Sequence, residues 1–260
     1  MIKVICVAVI FFGVLKVAIA SGDECGGIGL LQAHKSTVLH GSSVCFVYSK
    51  TSSQDGLKLS RDPDEISLYA ISESERPELL YEFPYAGTQG KINDVFFLAI
   101  EGAAEEMLFV IHSMQSPKSW DTKSDIYDVS VIRHQGGILI RDQKLSRFFD
   151  LGGDLVDTQG KSTYLYPYKD KKSVEGAVRS ALFRAINSST KIMGTVQEKT
   201  FLYAGDSEPA LQDPKKAYLI KGDQVTLADS MAGWCKILYQ GKAKLITRWA
   251  QCKSIVFAEN

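Results

Sequence analysis

The chain has 260 residues, with 30 Lys and Arg side chains against 30 Asp and Glu, so its formal net charge is zero. Hydrophobic residues make up 45% of the chain and charged residues 23%, which is typical of a folded globular protein. This balance excludes a disordered chain and a basic nucleic-acid-binding protein. The length accommodates one large domain or two small ones.

Residues 1–20 have the pattern of a secretory signal peptide. Lys3 supplies the positive start, an apolar run extends from residue 4 to residue 15, and Ala18 and Ala20 form an A-x-A cleavage site. Lys16 interrupts the apolar run, which is too short to span a bilayer. We therefore expect cleavage after Ala20, no stable membrane anchor afterwards, and a mature chain in the periplasm.

The region from 21 to 190 is predicted to be a β-rich domain. Runs of β-branched and aromatic residues, some alternating with polar ones, predict its strands. These runs lie at 44–48, 65–72, 79–83, 94–100, 107–112, 127–133 and 137–141. Turn sequences at 102–106 and 134–137 indicate that the last four runs form two hairpins.

The segment 173–186 breaks the β pattern and predicts one helix packed on the sheet. Its apolar residues recur at intervals of three and four, which places them on one helical face. They are Val174, Ala177, Val178, Ala181, Leu182, Ala185 and Ile186. Ser173 is the expected N-terminal cap, and the polar residues 187–189 indicate a domain boundary.

The region 196–258 is predicted to be a small β-barrel. Five short strand-like runs are separated by tight turns that mostly contain glycine. They lie at 200–203, 217–220, 224–229, 234–239 and 245–250. The expected fold class is therefore mainly β, with an N-terminal β-rich domain carrying one packed helix and a small barrel after it.

The cysteines predict two disulfide bonds. Cleavage of the signal peptide removes Cys6 and leaves Cys25, Cys45, Cys235 and Cys252, an even number in an exported chain. Three pairings are possible, and the two local ones, Cys25–Cys45 and Cys235–Cys252, are favoured because each closes a short loop. The cysteines form no C-x-x-C pair and no close histidine pair accompanies them, so we expect no metal and no cofactor.

Four segments of the C-terminal region resemble the bacterial SH3-like (SH3b) domain: 201–203, 217–225, 233–239 and 247–249. Arg248 departs from the family pattern, which usually has Gly before the closing Trp. The resemblance implies an SH3-like barrel with an aromatic groove for a peptide. The groove residues it implies are Tyr203, Tyr218, Trp234, Tyr239 and Trp249. The alternative that these aromatic rings fill the barrel core stays open.

The segment Val95–Val110 resembles the hairpin of FG-GAP/VCBS-like proteins, in which an acidic loop between two strands binds calcium. Here the loop at 101–105 keeps Glu101 and Glu105, but Gly and Ala occupy the positions between them, so we expect the hairpin without the ion. Families with this hairpin after a signal peptide include periplasmic inhibitors and immunity proteins. The resemblance implies a protein partner, such as a cell-wall- or membrane-degrading effector enzyme of a bacterial secretion system. The alternative is a cell-envelope module that binds peptidoglycan through the SH3b domain.

No catalytic signature stands out, so we expect a binding protein rather than an enzyme. The sequence has no G-x-S-x-G elbow and no H-E-x-x-H helix. His112 ends an apolar strand and His134 lies beside a Gly-Gly turn, and both are expected to be structural or solvated. A hydrolase remains an alternative, which would require His112 or His134 to point into a pocket beside a carboxylate.

Overall fold

The computed structural model describes residues 24–52, 59–72, 76–211, 217–241 and 244–258. The predicted signal peptide at 1–20 lies outside these ranges. Within them the chain is mainly β with few helices, which confirms the predicted fold class.

The first sheet is an antiparallel meander in the order β1-β2-β3-β4. A 3-10 helix, Glu24–Ile28, precedes it. Its strands are β1 (Gln32–Leu39), β2 (Ser42–Ser52), β3 (Leu59–Ile71) and β4 (Pro77–Glu82). His40 and Gly41 form the two-residue turn between β1 and β2, with φ angles of +48° and +80°. Positive φ at both turn residues matches the right-handed twist of the strands on either side.

The second sheet is another antiparallel meander, in the order β5-β6-β7-β8. Its strands are β5 (Gly90–Leu98), β6 (Met107–Met114), β7 (Ile126–Gln135) and β8 (Ile138–Arg141). Nearly every residue of β6 and most of β7 are buried. The continuous apolar run at 107–111 in β6 is the signal of a strand covered on both faces.

One face of the second sheet packs on the first sheet. Leu108 and Val110 of β6 contribute to this sandwich core, whereas the intervening Phe109 and Ile111 face the opposite side. The alternation follows from the two-residue period of a strand. The remaining buried members of the sandwich core are Leu39, Val44, Phe46, Ile66, Leu68, Ala70, Phe83, Ile92, Ile132 and Leu139.

Helices cover the other face of the second sheet. They are α1 (Gln143–Phe149), α2 (Lys171–Val178) and α3 (Ala181–Ser188), and a small hairpin of β9 (Leu155–Val156) and β10 (Ser162–Tyr164) lies between α1 and α2. The prediction of one helix over 173–186 is wrong, because the segment forms α2 and α3. Ser180 separates them: its backbone is extended and its hydroxyl accepts a hydrogen bond from the Phe183 N–H, so it caps a new helix.

The C-terminal strands form a five-stranded antiparallel sheet and a two-stranded hairpin. The sheet has the order β16-β15-β14-β11-β17, and the hairpin pairs β12 with β13. The strands are β11 (Met193–Val196), β12 (Thr200–Leu202), β13 (Ala217–Leu219), β14 (Gln224–Met231), β15 (Trp234–Gln240), β16 (Leu245–Gln251) and β17 (Ile255–Phe257). Tyr203 pairs with Trp249, which joins the hairpin to β16. The sheet begins at Met193, just before residue 196, where the small β-barrel is predicted to start. The assignment of this region as an SH3-like domain stays a prediction.

A shared core joins the helices to the C-terminal strands. Phe148, Phe149 and Phe183 of the helices belong to the same buried cluster as Trp234 and Trp249. The predicted boundary near 187–196 therefore separates the two halves along the chain, while their apolar side chains pack continuously across it.

Both predicted disulfides are formed, which confirms the local pairing. Cys25–Cys45 has a Cα–Cα distance of 5.7 Å, and Cys235–Cys252 has one of 5.0 Å. The first bond fastens the Glu24–Ile28 helix to β2, and the second fastens β15 to the 3-10 helix Cys252–Ser254. Each half of the chain therefore has its own covalent cross-link.

Candidate functional site

An apolar groove with a volume of about 260 Å³ opens where the N-terminal half meets the C-terminal strands. We call it the junction groove. Its walls come from the segments 120–126, 151–155 and 208–211, and its floor comes from β10 and the β14–β15 turn. The residues that line it include Trp120, Ile126, Leu151, Leu155, Tyr164, Pro209, Leu211, Met231 and Trp234.

Three large apolar side chains stand exposed at the rim of the junction groove. Trp120 is 44% exposed, Leu151 is 39% exposed and Leu211 is 41% exposed. Each comes from a different loop, so the fold brings together side chains that are distant in the sequence. Adjacent exposed apolar groups of this kind are typical of interaction sites, because water solvates them poorly.

The floor of the groove is held by aromatic packing. Tyr164 stacks on Trp234 with ring centroids 5.0 Å apart, and Tyr203 meets Trp234 edge-on at the same distance. The Tyr164 hydroxyl donates a hydrogen bond to the Ala232 carbonyl. Burial raises the pKa of Tyr164 well above its usual value, so this hydroxyl keeps its proton and remains a donor.

The loop that supplies Pro209 and Leu211 is closed by an internal hydrogen bond and is bonded to β16 of the five-stranded sheet. The Ala210 N–H donates to the Ala204 carbonyl at 2.8 Å, and the indole N–H of Trp249 donates to the Gly205 carbonyl at 3.1 Å. Gly205 has a φ of +120°, and a Cβ there would lie 1.8 Å from the Glu208 carbonyl oxygen. Only glycine can occupy position 205 without this clash. The resulting loop conformation sets the position of the groove wall.

The structure separates the five aromatic residues that the SH3b resemblance implies as a groove. Tyr203, Trp234 and Trp249 are buried in the core shared with the helices, and Trp249 has no exposed surface. Tyr239 is half-buried against the apolar core of the five-stranded sheet, and Tyr218 is 53% exposed on β13. Of the five, Trp234 lines the junction groove. The binding role of the others stays a prediction, and the burial of Tyr203 and Trp249 favours the core role.

Sequence reasoning missed Trp120, Leu151 and Leu211. They lie in loops, where neither the strand period nor the helix period singles out an apolar residue. One signal was available, because Trp120 is a large aromatic residue within the polar segment 115–125. A Trp in such a loop is a candidate contact residue, since Trp is enriched at binding hot spots.

A cluster of polar side chains lies buried between the two sheets. Asp128 accepts a hydrogen bond from the Ser130 hydroxyl at 3.0 Å, and Arg141 donates through Nε to the same hydroxyl oxygen at 3.1 Å. The Arg141 guanidinium lies 4.1 Å from the centroid of the Tyr81 ring. Burial raises the pKa of Asp128 to about 6, although Arg141 and Ser130 oppose the shift. The mutual contacts of these groups indicate a structural role.

His112 belongs to the same buried region. It lies opposite Asp128 in the β6–β7 register, and its ring stacks on Phe83 with centroids 4.8 Å apart. Its Nδ1 has no hydrogen-bond partner, and burial lowers the pKa of His112 to about 4. The ring is therefore neutral at pH 7 and packs as a core group.

His134 has a different environment, with a carboxylate beside it. Glu105 Oε2 lies 3.6 Å from His134 Nδ1 and 3.0 Å from His40 Nε2. Glu105 and His134 line a cavity of about 520 Å³, together with Arg133 and Asp142, so the requirement of the hydrolase alternative is met by His134 and that alternative stays open. The side chains of His40, Glu105 and His134 carry N and O atoms that could bind a metal ion.

Known proteins give no guide to these features. No family model, curated protein or solved structure matches the chain.

Two further findings bear on where the protein acts. The two disulfides are compatible with an exported chain, because such bonds persist in oxidising compartments. Among the described residues, the helices are too short or too polar to cross a bilayer.

Proposed function

We propose that this chain is an exported, non-catalytic protein-binding protein that docks on its partner through the junction groove. The observation that carries the proposal is the grouping of Trp120, Leu151 and Leu211, all exposed, around an apolar groove with a packed aromatic floor. Docking of an apolar partner segment removes this surface from water, which is the main driving force of protein association.

The size of the groove favours a protein partner over a drug-sized ligand. Its volume of about 260 Å³ lies below the range of roughly 300–1,000 Å³ found for drug-sized ligands. One or two side chains of a partner fill such a space. Trp120 at the rim then acts as an anchor, with neighbouring contacts that exclude water around it.

The sharper form of the proposal is an inhibitor or immunity protein of the periplasm. It is supported by the signal-peptide pattern at 1–20, by the two disulfides and by the resemblance of Val95–Val110 to a hairpin found in such proteins. In this form the rim residues contact an effector enzyme beside its active site, and the bulk of the chain blocks substrate entry.

The alternative function, peptidoglycan binding, has one observation in its favour. Tyr218 is 53% exposed, and the Lys199 ammonium lies 4.2 Å from the centroid of its ring. An exposed aromatic ring with a cation beside it suits stacking on a sugar and pairing with a peptide carboxylate. This surface belongs to the C-terminal hairpin and is separate from the junction groove.

The first test uses the mature, oxidised chain as bait in an extract of the producing cells. We expect one enzyme to be captured, and its affinity is then measured with both proteins purified. Trp120→Ala should weaken binding by about 30-fold or more, the effect of losing a hot-spot residue. Leu151→Ser should also weaken it, whereas Leu79→Ser, which changes a similarly exposed leucine on β4, should leave it unchanged.

The second test distinguishes protein binding from peptidoglycan binding by sedimentation of the chain with purified sacculi. We expect the chain to stay in the supernatant. Pelleting that is lost in Tyr218→Ala and kept in Trp120→Ala would overturn the proposal in favour of peptidoglycan binding. Failure to capture any partner, or equal affinities for Trp120→Ala and Leu79→Ser, would also count against it.

A further inference from the structure

A turn, a loop and a strand end of the two packed sheets bring His40, Glu105 and His134 together. His40 lies in the β1–β2 turn, Glu105 in the β5–β6 loop, and His134 near the end of β7. A single atom, Glu105 Oε2, lies 3.0 Å from His40 Nε2 and 3.6 Å from His134 Nδ1. One ligand atom from each of the three side chains lies within 4.8 Å of the other two.

A salt bridge alone accounts poorly for this arrangement. The two imidazole rings are stacked, with centroids 4.8 Å apart, so protonating both would place two positive charges face to face against one carboxylate. The 3.6 Å separation of His134 Nδ1 from Glu105 is also longer than a hydrogen bond. A cation bound by two neutral imidazoles and the carboxylate satisfies all three groups at once.

We propose that His40, Glu105 and His134 bind a Zn²⁺ ion that joins the two sheets. Tetrahedral zinc with nitrogen and oxygen ligands at about 2.0–2.2 Å places neighbouring ligand atoms about 3.4 Å apart. The two observed distances, 3.0 and 3.6 Å, lie on either side of this value. Two imidazoles and one carboxylate are also a ligand set that zinc uses in proteins.

Closing the site requires a rotation of the His40 ring, because a metal ion lies near the plane of each imidazole that binds it and the two rings are now only 24° from parallel. The distance between the two histidine ligand atoms is at most 4.8 Å, so they must approach by up to about 1.4 Å for a tetrahedral edge. The His40 and His134 side chains each keep 30% of their surface exposed. Rotation of the His40 ring on its turn supplies this movement without disturbing the sandwich core.

The ion keeps an open fourth position on the side of the cavity. Glu105 and His134 line this space of about 520 Å³, and Arg133 and Asp142 in its wall are paired with each other at 2.9 Å. Because Arg133 and Asp142 neutralise one another, neither competes for the ion. Three protein ligands and one accessible position leave room for a bound water molecule.

The test is calorimetric titration of ZnCl₂ into the mature, tag-free, oxidised chain. We expect one Zn²⁺ per chain with micromolar or tighter affinity. His40→Ala, His134→Ala and Glu105→Gln should each weaken binding by more than the roughly tenfold loss caused by removing an outer-shell partner. CaCl₂ should give no binding at the same concentration, because calcium prefers a cage of oxygen ligands.

His34→Ala is the matched control, because His34 lies on β1 outside the cluster, with its ring edge-on to Phe46. Zn²⁺ should raise the melting temperature of the parent chain and of His34→Ala, but not that of Glu105→Gln. Glu105 is surface-exposed, so its replacement tests the site even where a histidine variant folds poorly. Absence of Zn²⁺ binding, equal binding by Glu105→Gln and the parent chain, or equal binding of Ca²⁺ would each overturn the proposal.

Discussion

His112 and Asp128 face each other across β6 and β7, and burial shifts the pKa of each in the direction of its neutral form. As pH falls below 6.5, His112 in the unfolded chain takes up a proton before folded His112, whose pKa is about 4. Stability therefore falls between pH 6.5 and 4. Folded Asp128, with a pKa of about 6, takes up its proton before the unfolded chain does, so stability rises between pH 6 and 3.8.

The two effects have opposite signs and similar sizes, about 3 kcal/mol each. We expect them to cancel in the parent chain and to appear separately in two variants. Relative to the parent, Asp128→Asn should lose about 3 kcal/mol of unfolding free energy between pH 7 and pH 4, because His112 then acts alone. His112→Phe, which keeps a ring against Phe83, should gain a similar amount over the same interval.

Urea unfolding of the parent and both variants at pH 7 and at pH 4 measures these slopes. Other carboxylates titrate in all three chains, so their effects drop out of the differences. If both variants followed the pH dependence of the parent, the assignment of neutral forms to His112 and Asp128 would be wrong.

At the scale of single elements, each disulfide fixes a short terminal piece to a buried strand. Cys235 on β15 is fully buried, and its bond to Cys252 holds the 3-10 helix Cys252–Ser254, which leads into β17, against the strand that carries Trp234. The sequence separation of 17 residues corresponds to a stabilisation of about 3 kcal/mol through restriction of the unfolded chain.

Replacing both Cys235 and Cys252 by Ala should therefore lower the free energy of unfolding by about 3 kcal/mol. Replacing Cys25 and Cys45 should have a similar effect, since that bond closes a loop of 20 residues. Denaturant unfolding of the two double variants and the parent checks both values. An unchanged midpoint in either variant would mean that its bond does not restrict the unfolded chain.

The elements themselves were largely predictable, and the errors have physical causes. Strands such as β6 and β14 carry strong β-branched and apolar patterns, so their positions follow from the sequence. The break between α2 and α3 was missed because Ser180 lies within a continuous apolar stripe, where only its capping hydrogen bond marks the boundary. Helix α1 has only seven residues, too few to display a helical period.

At the scale of the whole molecule, the junction groove and the His40–Glu105–His134 cluster were beyond sequence reasoning for the same reason. Each takes many of its residues from turns and loops that the packing of the sheets and helices brings together. Turn sequences specify local geometry and not which other turn will lie beside them. The expectation of no metal weighed only ligands close together in the chain, so it did not consider this cluster, and it stays a prediction.

The most direct test of the account asks which surface the partner touches. A photo-crosslinking amino acid placed at Leu151, on the groove rim, is compared with the same group at Val38, an exposed position on β1. β1 contributes no residue to the described lining of the groove. With the captured partner, docking through the groove predicts a crosslinked product from position 151 and none from position 38. A product from position 38 alone would place the partner on the first sheet and contradict the account.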